Sequence, residues 1–197
     1  MKIVIATKNK GKIRDFKLLL ADTPFELVGL DDLQINEEIE ETADTFAANA
    51  RIKAVGYAKL AGLYAMADDS GLEVQALGGR PGVHSSRYAG DETGYGTKIT
   101  KLLDEIALSE NKSRNARFVS HIALAAPDGN VIFEASGICE GTIADAPRGA
   151  NGFGYDPIFM PKGYGQTFGE LSNDVKALIS HRAHATAKII RFLRDFA

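Results

Sequence analysis

Tyr64-Ala65-Met66-Ala67-Asp68-Asp69-Ser70-Gly71 is the stretch on which the fold turns: a short apolar run ending in two adjacent carboxylates and a glycine turn. A run of this length reads as a buried strand, here over residues 64–67. An aspartate pair at a strand end is costly to hold, because neighbouring like charges oppose joint ionisation. A divalent metal is a natural counterion, and hard Mg²⁺ prefers carboxylate and water oxygens. The plain alternative is a solvated turn, which Asp, Ser and Gly all favour.

On the N-terminal side, residues 42–62 read as a helix. Phe46, Ala50, Ala54, Tyr57 and Ala61 advance by four, four, three and four and make one apolar face. Thr45, Asn49 and Lys53 step by four along a separate polar stripe. Further out, Ile3-Val4-Ile5-Ala6 reads as a buried strand. Ile13, Phe16, Leu19 and Leu20 then recur at helical spacing until Asp22-Thr23-Pro24, and residues 25–30 make a second strand. A connector carrying Glu37, Glu38, Glu40 and Glu41 leads into the long helix.

On the C-terminal side come the loop Gly78-Gly79-Arg80-Pro81-Gly82 and a helix over residues 97–107. Strands over 116–126 and 131–143 flank Pro127-Asp128-Gly129-Asn130, a strong hairpin signal. A glycine-rich loop over 149–154 enters Tyr155-Asp156-Pro157-Ile158-Phe159, and residues 171–178 make a short helix. Ser180 is placed to cap a last helix through Phe196, with Ile189, Ile190, Leu193 and Phe196 as its buried face. Strands and helices alternate in the first half and a hairpin fills the second, so the class is α/β with a mixed sheet. No repeat or linker interrupts the chain, so one domain over 1–197 is expected.

Length and composition agree. The 197 residues are 45% hydrophobic and 25% charged with a formal net charge of −3, ordinary for a globular domain with a normal core. The acidic balance argues against a nucleic-acid coat, which wants a net basic surface. A single cysteine, Cys139, excludes an internal disulfide framework and suits a reducing compartment. Met1 leads straight into the first strand, and no apolar run nears the ~18 residues of a membrane span. A soluble cytoplasmic protein is the expectation, with no membrane partner and no nucleic acid.

Besides the carboxylate pair, five segments carry candidate chemistry. Thr7, Lys8, Asn9, Lys10, Gly11 and Lys12 open a helix after a strand, which puts backbone N–H groups and ammoniums where an anion would bind. The Walker spacing fails, since Ala6 stands where its first glycine belongs and Ile13 follows Gly11-Lys12. Lys53 lies four residues after Asn49 on the helix leading to Asp68-Asp69, which makes it a candidate phosphate ligand. The acidic connector is a further source of metal oxygens, with Glu40 and Glu41 nearest the helix; a metal-held carboxylate can orient an attacking water.

Asn151-Gly152-Phe153-Gly154-Tyr155-Asp156-Pro157 joins glycines, which let backbone approach a ligand, to an aromatic face for stacking and a carboxylate that accepts from N–H groups. Its plain alternative is a turn with core aromatics. His181 and Arg182 are candidate donors to a purine carbonyl, with Lys176 one short helix earlier. His181 and His184 lack a third zinc ligand. There is no GxSxG elbow, and nothing activates Cys139, so covalent nucleophilic catalysis is not expected.

Taken in order, these motifs closely resemble the inosine/xanthosine triphosphate pyrophosphatase family. They are Thr7 to Lys12, Glu40-Glu41-Thr42 with Asn49 and Lys53, Ala67-Asp68-Asp69-Ser70-Gly71-Leu72, the Gly78 to Gly82 loop, Gly152 to Pro157, and Ser180-His181-Arg182. The resemblance runs from Thr7 to Arg182. It implies an elongated mixed sheet flanked by helices, in two lobes with the active-site cleft between them. It also implies a homodimer that uses Mg²⁺ to hydrolyse ITP, dITP and XTP to the monophosphate and pyrophosphate.

By position, Thr7, Lys8, Asn9, Lys10, Gly11, Lys12 and Lys53 would hold phosphates and Ser70 would touch substrate. Phe153, Gly154, Tyr155, Asp156, Lys176, His181 and Arg182 would surround the base. Asp69 would accept the proton of the attacking water, and Glu40 or Glu41 would join it on the metal.

Selectivity follows from hydrogen bonding. Hypoxanthine and xanthine carry a carbonyl at C6 where adenine carries an amino group. A donor left unpaired by ATP costs about 1–3 kcal/mol, or roughly one to two decades in rate. Guanine keeps that carbonyl, so this argument does not reach GTP. Two rivals stand beside this reading: a Maf-like pyrophosphatase for pyrimidine or modified nucleotides, and a nucleotide-sensing module without turnover.

Overall fold

The computed structural model describes residues 1–90 and 92–196. Among them, six strands form one sheet in the order β2-β1-β3-β4-β5-β6. The strands are β1 (Lys2–Ile5), β2 (Glu26–Gly29), β3 (Tyr64–Val74), β4 (Asn115–Ala125), β5 (Val131–Ile143) and β6 (Phe159–Pro161). The helices are α1 (Lys10–Leu19), α2 (Phe46–Ala61), α3 (Tyr95–Leu108), α4 (Asn173–Ile179) and α5 (His181–Phe196). β1 is parallel to β2 and β3, with Val4 opposite Val28 and Ala65, whereas β6 is antiparallel to β5. The expected mixed α/β sheet is therefore present. None of the described helices is long and apolar enough to cross a membrane.

The chain divides into two compact units. One holds Met1–Asp69, Ser120–Gly137 and the stretch from Arg182 on; the other holds Ser70–Val119 and Ile138–His181. Strands β3, β4 and β5 contribute residues to both.

In the first unit, period-two alternation builds two cores on opposite sides of the sheet. Ile3, Ile5, Met66, Ile122 and Leu124 pack with Phe16 of α1 and with Ala185, Ile189 and Leu193 of α5. Their neighbours Val4, Ala6, Ala65, Ala67, Ala123 and Ala125 pack with Ala50, Ala54, Tyr57 and Ala58 of α2. The second face is almost all alanine, so little side-chain volume separates α2 from the strands. In the second unit, Leu72 and Val74 of β3 join Ile99, Leu102 and Ile106 of α3, together with Phe118, Phe159 and Phe168.

Three expectations need correction. β3 does not end at the carboxylate pair: it runs on through Asp68, Asp69, Ser70 and Gly71 to Val74, so the pair lies within a strand. Leu72 and Val74 are fully buried and carry the strand onward through the glycine. The long helix begins at Phe46 rather than Thr42. Thr45 caps it by accepting from Ala48 N at 3.2 Å, and Asn49 binds both backbone groups of Ala43, at 2.9 Å to N and 3.0 Å from O. That fully buried amide holds residues 42–43 outside the helix. Finally, Phe196 is 46% exposed, so the buried face of α5 is carried by Ile189 and Leu193.

Candidate active site

Because side chains alternate along β3, Asp68 and Asp69 point to opposite faces. Asp68 follows Met66 to the side of α1 and α5; Asp69 follows Ala67 to the side of α2. The two carboxylates therefore do not form one shared cation site, as their adjacency in sequence suggested. Each has its own partners.

Asp68 is almost fully buried and heavily bonded. Its Oδ1 accepts from Ser120 Oγ at 2.5 Å. Its Oδ2 meets Lys12 Nζ at 3.0 Å and Arg182 Nη2 at 3.1 Å. The second end of that guanidinium, Nη1, reaches Asp15 Oδ2 at 2.6 Å. The Asp68 carbonyl accepts from both Lys12 Nζ and Lys53 Nζ, at 3.1 and 3.0 Å.

Asp69 has Lys53 Nζ at 3.5 Å from Oδ1, and the same ammonium lies 2.6 Å from Glu41 Oε1. Burial pushes the Asp69 carboxyl above the usual carboxylate range, against Lys53 and Lys12, with Glu41 and Asp68 adding to the rise. Burial works to lower the Lys53 ammonium, but Asp69 and Glu41 outweigh it and hold it raised. Burial wins at Lys12, which is lowered despite Asp68. Of the two candidate glutamates, Glu41 turns into this row and Glu40 is exposed.

The first loop is tied together by its own cap. Asn9 caps α1, its Oδ1 accepting from Gly11 N at 2.9 Å and Lys12 N at 3.1 Å, while Thr7 Oγ1 accepts from Asn9 N at 3.2 Å. Of the three lysines here, Lys12 turns inward to the carboxylates. Lys8 and Lys10 are exposed, with Lys8 donating to the Asn36 carbonyl at 2.9 Å.

The second unit brings together Phe153, Asp156 and Lys176. Asp156 Oδ2 accepts from Lys176 Nζ at 2.5 Å and from Phe153 N at 2.7 Å. Lys176 Nζ lies 4.7 Å from the centre of the Phe153 ring. Gly152 permits this corner: its φ is +73°, and a Cβ there would stand 2.0 Å from Asp156 Oδ2. His181 stacks on Phe118 at 4.7 Å and 16°. Tyr155 is a buried core residue whose hydroxyl donates to the Ser85 carbonyl at 3.0 Å. Gly154 follows with φ +67° and Ser70 is half-buried.

Two members of the charged row escaped the sequence reading. Asp15 carried one usable signal, a carboxylate one turn after Lys12 on the same helix face. Ser120 carried none, since a serine inside a predicted strand reads as surface.

A capped helix start, a buried row of ammoniums and carboxylates, and a mixed sheet define an α/β protein fitted to grip a polyanion. The chain belongs to the Ham1 family, whose model matches residues 3–192. It is 46% identical over 191 residues to a dITP/XTP pyrophosphatase of Bacillus licheniformis, covering 97% of each chain. It is 44% identical to one of Bacillus subtilis, covering 96% of each. Its structure matches a HAM1 protein of Coxiella burnetii with a TM-score of 0.90 at 39% identity, covering 99% of both. The Staphylococcus aureus Ham1 protein matches with a TM-score of 0.86 at 41% identity, over the whole of both chains.

Proposed function

We propose that this protein hydrolyses non-standard purine nucleoside triphosphates, ITP, dITP and XTP, to the monophosphate and pyrophosphate. One observation carries the proposal: buried Lys53 and Asp69 with half-buried Lys12 and Glu41, in a row beside the Asn9-capped start of α1. Its relatives of Bacillus licheniformis and Bacillus subtilis, both dITP/XTP pyrophosphatases, support the substrate class.

In this reading Asp69 takes the proton of the attacking water. A carboxyl raised by burial suits that work, because a general base is most effective when its pKa approaches the working pH. Lys12 and Lys53 hold the phosphates beside the Thr7 to Lys12 loop, whose Asn9, Gly11 and Lys12 N–H groups are spent on the cap, with Lys8 and Lys10 at the exposed rim and Ser70 touching substrate. Phe153 offers a stacking face. The candidates for the base, Gly154, Tyr155, Asp156, Lys176 and His181, belong with Phe153 to the second unit, whereas the Arg182 guanidinium is engaged by Asp68 and Asp15.

The donor set fits Mg²⁺. Among the described residues no group of three or more His, Cys, Asp or Glu could hold a metal, but Mg²⁺ is ordinarily bound by one or two carboxylates together with substrate phosphates. Asp69 and Glu41 face one another across Lys53 and are the residues that would hold it; exposed Glu40 would join only by turning inward. When bound, the ion withdraws charge from the phosphoryl group.

The homodimer and the cytoplasmic setting belong to the same reading. Light scattering on the eluting peak tests the first, and a monomer mass there would remove it. For the reaction, ITP plus Mg²⁺ is incubated with the protein and the products are separated by anion exchange. IMP with pyrophosphate is expected. IDP with phosphate would assign another hydrolase, turnover of dTTP or UTP instead of ITP would favour the Maf-like rival, and binding without products would leave a sensing module.

A further inference from the structure

Lys12 and Asp15 lie one turn apart on α1 and face the same side. From Lys12 the contacts run to Asp68 Oδ2 at 3.0 Å, on to Arg182 Nη2 at 3.1 Å, and from Arg182 Nη1 back to Asp15 at 2.6 Å. The path leaves α1, crosses β3 and the start of α5, and returns to α1. Two cations and two anions thus form a ring whose last side is the α1 turn between Lys12 and Asp15 rather than an ion pair. Every member lies in the first compact unit.

The ring is rigid for stated reasons. The Arg182 side chain is 1% exposed, and its planar fork spans two carboxylates, which a lysine point charge would not do. The guanidinium lies 5.9 Å from the ring centre of fully buried Phe16, which walls one side. Ser120 occupies the remaining oxygen of Asp68. None of the four can shift far without breaking a buried ion pair.

We propose that Asp15 is a positioning residue of this site: through Arg182 and Asp68 it fixes Lys12, and with it the phosphate-binding start of α1, in register with Asp69. Asp69 is the residue next to Asp68, and its place along β3 is set by the same bonds. In this reading Lys12 is the member that meets the phosphates; the work of Asp15, Arg182 and Asp68 is to align it. Without the Asp15 charge, Arg182 loses one of its two carboxylates and draws harder on Asp68 Oδ2, which Lys12 shares. The inference rests on the reading of Lys12 and Asp69 as parts of a pyrophosphatase site.

Asp15 is also the member that can be altered with least damage, since its side chain is the most exposed of the four at 23%. The test is kcat/KM for ITP with Mg²⁺ in wild type, Asp15→Asn, Lys12→Met and the double variant, with Asp15→Glu as the conservative control. We expect Asp15→Asn to lower kcat/KM about tenfold, equivalent to ~1.4 kcal/mol. In the Lys12→Met background the same change should cost less than about twofold, since the residue to be positioned is gone. Asp15→Glu should recover most of the loss.

Equal losses in both backgrounds would mark Asp15 as merely structural and overturn the inference, as would an Asp15→Asn enzyme with wild-type turnover. If wild type itself releases no pyrophosphate from ITP, the functional reading fails and this inference falls with it. An active wild type beside an unaffected Asp15→Asn removes the ring's role alone.

Discussion

Asp68 and Asp69 are neighbours in sequence and opposites in environment. Asp68 is bound by an ammonium, a guanidinium and a hydroxyl, whereas Asp69 has the Lys53 ammonium 3.5 Å away and shares it with Glu41. One carboxylate is locked into the fabric of the protein; the other keeps a raised pKa that only burial and crowding explain. Structure and chemistry are thus divided between adjacent residues by nothing more than the two-residue period of a strand. In the proposed reading a single acidic pair supplies both the anchor and the reactive group.

The largest expected effect separates the two by activity. Asp69→Asn should cut kcat for ITP by roughly a hundred- to ten-thousandfold, the usual range for loss of a general base. The fold should not suffer. An acid whose pKa is raised in the folded state is strained as the anion: its contribution to stability is present below the unfolded pKa and lost as pH rises through the folded one. Removing the charge should therefore leave Tm at neutral pH unchanged or higher. Near-normal turnover in that variant would take Asp69 out of the reaction and dissolve the contrast.

Asp68→Leu should do the reverse to stability. It strands Arg182, 1% exposed, and Lys12 without their common carboxylate, and breaking a buried pair by removing one partner costs about 3–5 kcal/mol. The measurement is the urea midpoint at constant m-value. A loss below ~1 kcal/mol would mean that Asp15 alone satisfies Arg182, and that Asp68 is no anchor.

How far this division was legible in the sequence depends on range. The element types and the mixed sheet follow from local periodicity, and the candidate phosphate loop follows from Asn9 and the lysines around it. What was missed is tertiary. Reading Asp68-Asp69 as the end of a strand placed both carboxylates in one turn; the buried Leu72 and Val74 beyond Gly71 show why the strand continues. Arg182 looked like a surface donor because its two carboxylates lie 114 and 167 residues away. Asn49 was legible as one step of a polar stripe, but the spending of its amide on Ala43 was not.

That last residue sharpens the contrast on the Asp69 side at a smaller scale. Asn49 holds Ala43, two residues from Glu41, so Asn49→Ala should release the segment that brings Glu41 to Lys53. Two lost hydrogen bonds in a buried setting cost about 1–3 kcal/mol, read as a lower urea midpoint. Activity should weaken through a higher Mg²⁺ requirement rather than a lower kcat at saturating metal. An unchanged Mg²⁺ titration would mean that Glu41 is placed by Lys53 alone.

The smallest effect lies away from both carboxylates. Cys139 is buried in β5, and burial, with Glu140 and Asp156 nearby, pushes its thiol up to about 12. The thiolate is the reactive form, so at pH 8 the folded protein should react with a thiol reagent far more slowly than the denatured chain. The rate should then follow the opening of the second unit, in which Cys139 lies. Asp68→Leu weakens the first unit, so if the two units open independently it should leave the labelling rate near that of wild type. Labelling accelerated in step with the fall in urea midpoint would show instead that one cooperative opening exposes both, and that the anchor at Asp68 steadies the whole chain.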